Sequence, residues 1–419
     1  MSKIVIMTAG RDPQVGMGGN ASYLRAHARA AMAAGYEPHI FFGAAPDVMV
    51  ETDFGYVHRS PAPPLPAFAQ NWSEIRHATM GWWTPRMAAR IIRFLDRAPG
   101  PCVMHSFSTY GNATLLARDE LRRRGAAIRV INSFYTTREN EAQAKARASR
   151  DARSLFPRVF HRMEYEWTRG TVMPLERRVW READVVTLNY ESVRRLFTDT
   201  HGPRGDVRRL PYASEAAFLH AETGVTPAAP AEIARLTPAD APLIVAVSRH
   251  DPRKGLDVLL RALGRLRAGG ERFRACLVSG GALLGEHRRL AAELGLADIT
   301  ALTGWVPDPY VYLRHADIYA LPSLQEASGS VAMLEAMQAG VAIVASDIDG
   351  IPEDIEAGEN GLLVEAGNVA ALADALRRLL QDADLRTRLA RRARDTYATR
   401  FSAPAMTQAL GDLYAEFSG

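Results

Sequence analysis

Lysine is almost missing from this chain. Of its 51 basic residues only Lys3, Lys145 and Lys254 are lysines, which leaves 48 arginines. A lysine kept where arginine is the habit marks a position to follow, and Lys254 is the one that lies inside a motif. Cysteine is scarcer still. Cys102 and Cys276 stand far apart in apolar stretches, which excludes a disulfide framework and a cysteine zinc site and reads as buried core in a reducing compartment. No run approaches eighteen consecutive apolar residues, so a membrane-spanning helix is excluded. The start runs straight into the strand-like KIVIMTAG, without a long apolar stretch behind a basic one, and the expected location is cytoplasmic. A strong excess of one charge is also lacking. The net charge of +4 is too mild to imply nucleic acid. The basic excess is local: residues 118–181 hold sixteen Lys or Arg against eight Asp or Glu. A solvated helical face is the first reading of that stretch, and an anionic acceptor or a membrane surface is the second.

What is present is alternation. With 419 residues, 47% hydrophobic and 23% charged, the chain has room for two or three globular domains. Short apolar runs alternate with helical patterns, which predicts α/β architecture with parallel sheets. Strands are expected at 3–10, 37–43, 102–107, 128–133 and 184–189, with helices at 20–34, 115–124 and 190–197. The stretch 221–242 is rich in proline and alanine without a strand pattern and reads as a linker. Beyond it the rhythm restarts, with strands at 243–248, 274–278, 300–303, 317–321, 342–346 and 361–364. Helices are expected there at 255–267, 285–294, 309–315, 330–338, 369–381 and 385–399. The expected organisation is an N-terminal Rossmann-like domain over 1–220, the linker 221–242, and a second Rossmann-like domain over 243–401. A last helix, about 402–419, is expected to pack back on the first domain. Two doubly wound units predict a cleft where the C-terminal ends of their strands face each other.

Three loops carry candidate chemistry. In RDPQVGMGGN (11–20), Gly16, Gly18 and Gly19 would let the backbone approach a ligand at a helix N-terminus. Read as Gly16-x-Gly18-x-x-Ala21, the loop also matches a dinucleotide fingerprint. However, it is about ten residues long, and the second strand ends in FFGA without the ribose-binding acid, which opposes an oxidoreductase. In SRHDPRKGL (248–256), Arg249 and Lys254 follow a strand and can meet phosphate oxygens. A lysine at a helix start is opposed by the dipole unless an anion is there. In LPSLQEASGSVAMLEAMQAG (321–340), a small polar loop precedes a helix starting near Ser328, Gly329 and Ser330, whose free N–H groups suit a diphosphate. Glu335 falls among Ala332, Met333, Leu334, Ala336 and Met337 and needs a partner, a ribose hydroxyl or a buried arginine.

The order SRHDPRKGLDVLLRAL, LVSGG, LTGWVPD, ADIYALPSLQEASGSVAMLEAMQAG, VAIVASDIDGIPE and NGLLVEAGN resembles the retaining family 4 glycosyltransferases of the GT-B fold. The likeness covers nearly the whole C-terminal half. In the N-terminal half it rests on the glycine loop and the strand order. It implies that Arg249 and Lys254 bind the donor diphosphate, that the backbone of Trp305 and Val306 meets the base, and that Glu326 faces the donor sugar and Glu335 the ribose. Gly18, Gly19, Ser328, Gly329 and Ser330 complete the implied donor site. Two departures stand out. Glu326 and Glu335 are nine positions apart where the family motif has eight, and Ala327 takes the eighth. The family's acceptor-side histidine is also missing from the strand ending NSFYTTREN. His105 is the candidate substitute, a structural histidine being the alternative, with Tyr135 and Asn140 as further acceptor candidates. The segment 134–175, with Phe156, Phe160, Tyr165 and Trp167, is expected to shape the acceptor pocket.

The implied reaction is transfer from a nucleotide-diphosphate sugar with retention of anomeric configuration and without metal or other cofactor. Asp347-x-Asp349 is read as part of a loop and not as a metal ligand set. The expected acceptor is a small soluble molecule such as a specialised metabolite or thiol, with a lipid or polysaccharide acceptor as the alternative. A GT-B phosphorylase and a non-catalytic sugar-nucleotide-binding protein are rivals of other classes. Expected partners are the donor and the small acceptor, with no nucleic acid. A membrane surface is the less favoured choice, and a homodimer is compatible with the sequence.

Overall fold

In a computed structural model the described residues are 3–10, 12–14, 19–43, 48–60, 80–98, 100–148, 155–220, 227–326 and 328–417. They divide into two compact units: Met1–Glu215 with Ala403–Gly419, and Ala216–Ser402. Each is an α/β unit built on a mainly parallel sheet.

In the first unit, strands β1 (Lys3–Ala9), β2 (Tyr36–Gly43), β3 (Met49–Thr52), β4 (Gly55–Ser60), β5 (Cys102–Phe107), β6 (Val130–Phe134), β7 (Val185–Leu188) and β8 (Val207–Arg209) form the sheet. Their order is β3-β4-β2-β1-β5-β6-β7-β8, parallel except for the antiparallel β3–β4 pair. β1 is continuously apolar from Ile4 to Met7 because both faces are covered there: Val5, Ile6 and Met7 are fully buried, as continuous apolar strands of parallel sheets require. The chain leaves β1 for β2 on one side and returns to β5 on the other, which makes β1/β5 the point where winding reverses.

Several elements of this unit do not announce themselves in the sequence. Strand β3 alternates only between exposed and half-exposed positions. The helix Met80–Arg97 contains Pro85, and Arg138–Ala148 is polar almost all round. The segment expected to shape an acceptor pocket is largely helical, as Leu155–Trp167 continues through a π-turn at Thr168–Val172 into Met173–Glu182. The C-terminal helix Ala403–Ala415 belongs to this unit, where the Tyr414 hydroxyl stands 2.7 Å from His105 Nδ1.

The second unit follows the expected βα rhythm within a residue or two at the ends. Its strands are β9 (Leu243–Val247), β10 (Arg274–Val278), β11 (Thr300–Leu302), β12 (Ile318–Leu321), β13 (Ala342–Ser346) and β14 (Leu362–Val364). They are all parallel and ordered β11-β10-β9-β12-β13-β14. The helix Leu256–Ala268 buries Leu259, Leu263 and Leu266 on one stripe, the spacing that marks a core-facing helix. Asn368 and Asp382 cap the helices Val369–Gln381 and Ala383–Arg400 by accepting the amides of Ala371 and Leu385. This unit begins at Ala216, so residues 227–242 lie within it. They include the short helix Ala231–Ala234, whose Glu232 accepts a 3.1 Å hydrogen bond from the Tyr312 hydroxyl. Winding reverses between β9 and β12. The loops leaving the C-terminal ends of these two neighbours are the two strongest motifs of the sequence, 248–255 and 322–330.

Candidate functional site

The turn after β9 is shaped by Asp251. Its carboxylate accepts the Arg253 amide at 3.1 Å and Arg253 Nε at 3.2 Å, which winds Pro252–Lys254 into one 3-10 turn. Burial opposes the charge on Asp251, but Arg253 and then Arg249 outweigh it and hold the carboxyl below its ordinary range. Gly255 closes the turn in the left-handed region, φ 59°. A Cβ there would sit 2.1 Å from the Pro322 carbonyl oxygen, so only glycine lets the two loops touch.

They touch along backbone and side chains. The amides of Leu324 and Gln325 donate to the Arg253 carbonyl at 2.7 and 3.2 Å. Lys254 Nζ donates to the Glu326 carboxylate at 2.6 and 2.7 Å, and the Ser323 hydroxyl donates to the same group at 2.5 Å. The side chains of Lys254 and Glu326 are only 17% and 7% exposed, so the pair is well shielded from water. The Glu326 amide donates to Asp349 at 2.6 Å, from a residue in left-handed backbone, φ 51°.

Beyond Ser328–Ser330 the helix Val331–Ala339 begins from an extended Ser330, with no side chain capping its first amides. A helix start left open in this way suits an anion. Ser328 is half-buried, and Gly329 and Ser330 are buried. Glu335 lies one turn inside, half-buried. Tyr319, on β12, is fully buried. Burial pushes its hydroxyl pKa up, and the charges of Glu326 and Glu335 add to the effect.

Beside this lies the end of β10. The His250 amide donates to the Gly280 carbonyl, and the Leu283 amide to that of His250. His250 is fully buried, its Nδ1 2.7 Å from Nδ1 of His287. Burial, then His287 and Arg288, lower its pKa to about 4. Trp305 is 61% exposed, with its amide nitrogen 3.4 Å from where a Cβ on Gly280 would lie, and Val306 is half-buried. Arg249 is exposed.

Two model families match the chain. Residues 231–396 match the glycosyl transferases group 1 model, and residues 18–213 match a glycosyl transferase 4-like domain. The chain belongs to the family 4 glycosyltransferases. A GDP-mannose-dependent phosphatidylinositol monomannoside mannosyltransferase of Mycobacterium tuberculosis is 32% identical over 54% of this chain and 60% of its own length. A lipopolysaccharide core biosynthesis glycosyltransferase of Rhizobium meliloti is 31% identical over 52% of the chain and 64% of its own. A D-inositol 3-phosphate glycosyltransferase of Nocardia farcinica is 35% identical over 52% and 49%. Each match spans less than two thirds of the relative. The GT-B fold is shared with a sucrose-phosphate synthase from Thermosynechococcus elongatus (TM-score 0.70, 20% identity, covering 99% of this chain and 98% of that one). It is shared too with an Anabaena protein crystallised with UDP (0.66, 16%, 99% and 100%).

In this family 4 glycosyltransferase, Lys254, Glu326, Ser328, Gly329, Ser330 and Glu335 cluster at the β9/β12 edge, with Arg249 on the same loop as Lys254. Of the glycine-loop candidates, Gly18 lies outside the described residues, and Gly19 is the first residue of the helix Gly19–Ala33. His105 is not presented to a ligand. It is fully buried, with Nδ1 on Tyr414 and Nε2 2.7 Å from the Ser133 hydroxyl, so both ring nitrogens are engaged. Burial, then His27, push its pKa well below the ordinary value. Tyr135 is half-buried and packs edge-on to Tyr23 at 4.0 Å. Asn140 sits in the first turn of Arg138–Ala148, donating to Thr136 at 3.3 Å. Sequence reasoning missed Asp251, Ser323 and Asp349 as organisers. Asp before Pro at a turn start was the available signal for Asp251, and Asp before Gly for the left-handed Asp349. Among the described residues no group of three or more His, Cys, Asp or Glu could hold a metal ion.

Proposed function

We propose that this chain transfers a hexosyl group from a nucleotide-diphosphate sugar to an acceptor carried on a lipid or a growing saccharide, with retention and without metal. The carrying observation is the β9/β12 edge, where Lys254, bridged to Glu326, and the uncapped start of Val331–Ala339 offer hydrogen-bond donors to an anion and Glu335 stands one turn inside. Arg249, Lys254 and the free helix amides stabilise the departing diphosphate, the group on which negative charge grows. Glu335 takes the ribose and Glu326 the sugar. The base lies against the backbone at Trp305 and Val306. A diphosphate oxygen on the side the acceptor approaches takes the acceptor proton.

One of the relatives above is named for a phosphatidylinositol monomannoside and another for lipopolysaccharide core biosynthesis, which favours that class over a small soluble molecule. The inositol phosphate relative keeps a small phosphorylated polyol as the second reading. Thermal unfolding with UDP, GDP, ADP and dTDP tests the donor half, since a ligand bound only by the native state raises the midpoint. One diphosphate is expected to stand out, and no rise with any of them overturns the reading. Transfer from the matching radiolabelled sugar to lipid extracts and to inositol phosphate then separates the acceptors, and NMR of the product's anomeric proton tests retention.

A further inference from the structure

The helix Leu155–Trp167 in the first unit buries an acid and shows three large apolar side chains outward. Facing the protein, Glu164 is buried and lies 2.8 Å from His161 Nδ1. Tyr165 donates to Glu139 at 3.1 Å, and Thr168, just past the helix end, is buried. On the other side Val159, Met163 and Trp167 are 48%, 67% and 49% exposed. Spaced by four residues, they fall within an arc of about 80° and form one ridge. Glutamate is among the residues least often buried, and large apolar side chains are normally exposed singly. A helix that reverses both habits is built for something on its outer face.

Charge identifies that occupant. Along 155–182 two of the four acids turn inward: Glu164 is buried, and Glu176 is fully buried against His201 at 2.8 Å. The described arginines turn outward. Arg162, Arg169, Arg177 and Arg181 are exposed and Arg178 is half-exposed; the exposed acids are Glu166, 3.9 Å from Arg169, and Glu182, 3.0 Å from Arg178, which leaves a basic excess on the exposed side. An apolar ridge ending in tryptophan, flanked by guanidinium groups, matches an anionic bilayer. There apolar side chains enter the acyl boundary, indole sits at the headgroup level and arginines meet phosphates. A second copy meeting the same face would set arginine against arginine.

We infer that this face, with Val159, Met163 and Trp167 as the inserted ridge and Arg162 and Arg169 beside it, docks the protein on an anionic lipid surface. This is a binding property that needs neither donor nor transfer, so it goes beyond the proposed reaction and can fail apart from it.

The test is co-sedimentation of the full chain with vesicles of phosphatidylcholine alone and of phosphatidylcholine with phosphatidylglycerol. The protein is expected to sediment with the second kind and to be released by high salt. The double variant Met163→Asp/Trp167→Ser and the reversal Arg162→Glu/Arg169→Glu should each lower partitioning by roughly tenfold or more. Met32→Asp, at a residue 43% exposed elsewhere in the same unit, should leave it unchanged. Unchanged melting and nucleotide affinity in these variants show that the fold and donor site are intact. Wild-type partitioning of the ridge variant, or no preference for anionic vesicles, overturns the inference. So does a dimer in light scattering that Met163→Asp dissociates, since the occupant is then a second copy.

Discussion

Lys254 Nζ stands 2.6 and 2.7 Å from the two carboxylate oxygens of Glu326, so the lysine expected on the donor's phosphates and the glutamate expected on its sugar hold each other. The residues are 72 positions apart and meet because β9 and β12 are neighbours. A shielded ion pair is costly to break from one side, because the remaining charge stays buried without its partner. On the proposed assignment, a donor that reaches Lys254 would share it with Glu326, which would couple phosphate binding to sugar binding within one contact.

Arg249→Ala and Lys254→Ala should therefore separate. Both are expected to lower turnover by roughly a hundredfold, the scale of losing one charge-stabilising group in the transition state. Arg249 is exposed, so its variant should melt like the wild type. Lys254→Ala strands Glu326 and should also lose about 2 kcal/mol of stability. Steady-state kinetics and urea unfolding on both variants check this. Near-normal rates in the two would remove the phosphate assignment.

Glu326→Gln and Glu335→Gln should part differently. Glu326→Gln is expected to impair transfer while leaving affinity for the bare nucleotide diphosphate unchanged. Glu335→Gln should weaken that affinity by about 1.5 to 3 kcal/mol, the scale of a charged hydrogen bond. Calorimetric titration with the diphosphate and with the full donor distinguishes them. If Glu326→Gln transfers like the wild type, the carboxylate serves Lys254 alone and Ser328 or Ser330 holds the sugar.

Gly255→Ala puts a Cβ 2.1 Å from the Pro322 oxygen at φ 59°. The left-handed backbone costs roughly 1 kcal/mol and the clash about 1 to 3 more. Expected are a lower melting temperature and weaker donor binding, with circular dichroism unchanged. A variant that binds the donor normally would show that the contact between the two loops is dispensable.

Turnover should survive EDTA, because the charges assigned to the diphosphate come from Arg249, Lys254 and helix amides. Loss of activity on chelation, restored by Mg²⁺ or Mn²⁺, would falsify the metal-free mechanism.

Stability should fall with acid below about pH 6.5. Burial pushes the pKa of His250 down to about 4 and those of His27 and His58 down to about 3. Each is neutral when folded and protonates more readily when unfolded. Their contribution is complete above the unfolded value near 6.5 and is lost as pH falls toward the folded values. The slope is up to about 1.4 kcal/mol per pH unit for each histidine. Melting temperature recorded from pH 7.5 to 5 checks the sign, and a flat profile contradicts it.

The sequence by itself determined the architecture of the second unit almost element by element. Strands buried on both faces must be continuously apolar, and core-facing helices must repeat every three to four residues, so local pattern carries both. It also placed Lys254, Ser330 and Glu335 at strand ends and helix starts, since glycine, small polar residues and caps act within a few residues. Strand order was decided elsewhere. Periodicity does not say that β9 and β12 are neighbours, and on that adjacency rest the Lys254–Glu326 pair and the amides of 324 and 325 on Arg253. Nor does the sequence around His105 show Tyr414, 309 positions away, which takes one ring nitrogen and turns a candidate ligand residue into core. A hydrogen-bond partner is a fact of packing. What a strand's own residues specify is that it is buried, and the tertiary structure alone decides beside what.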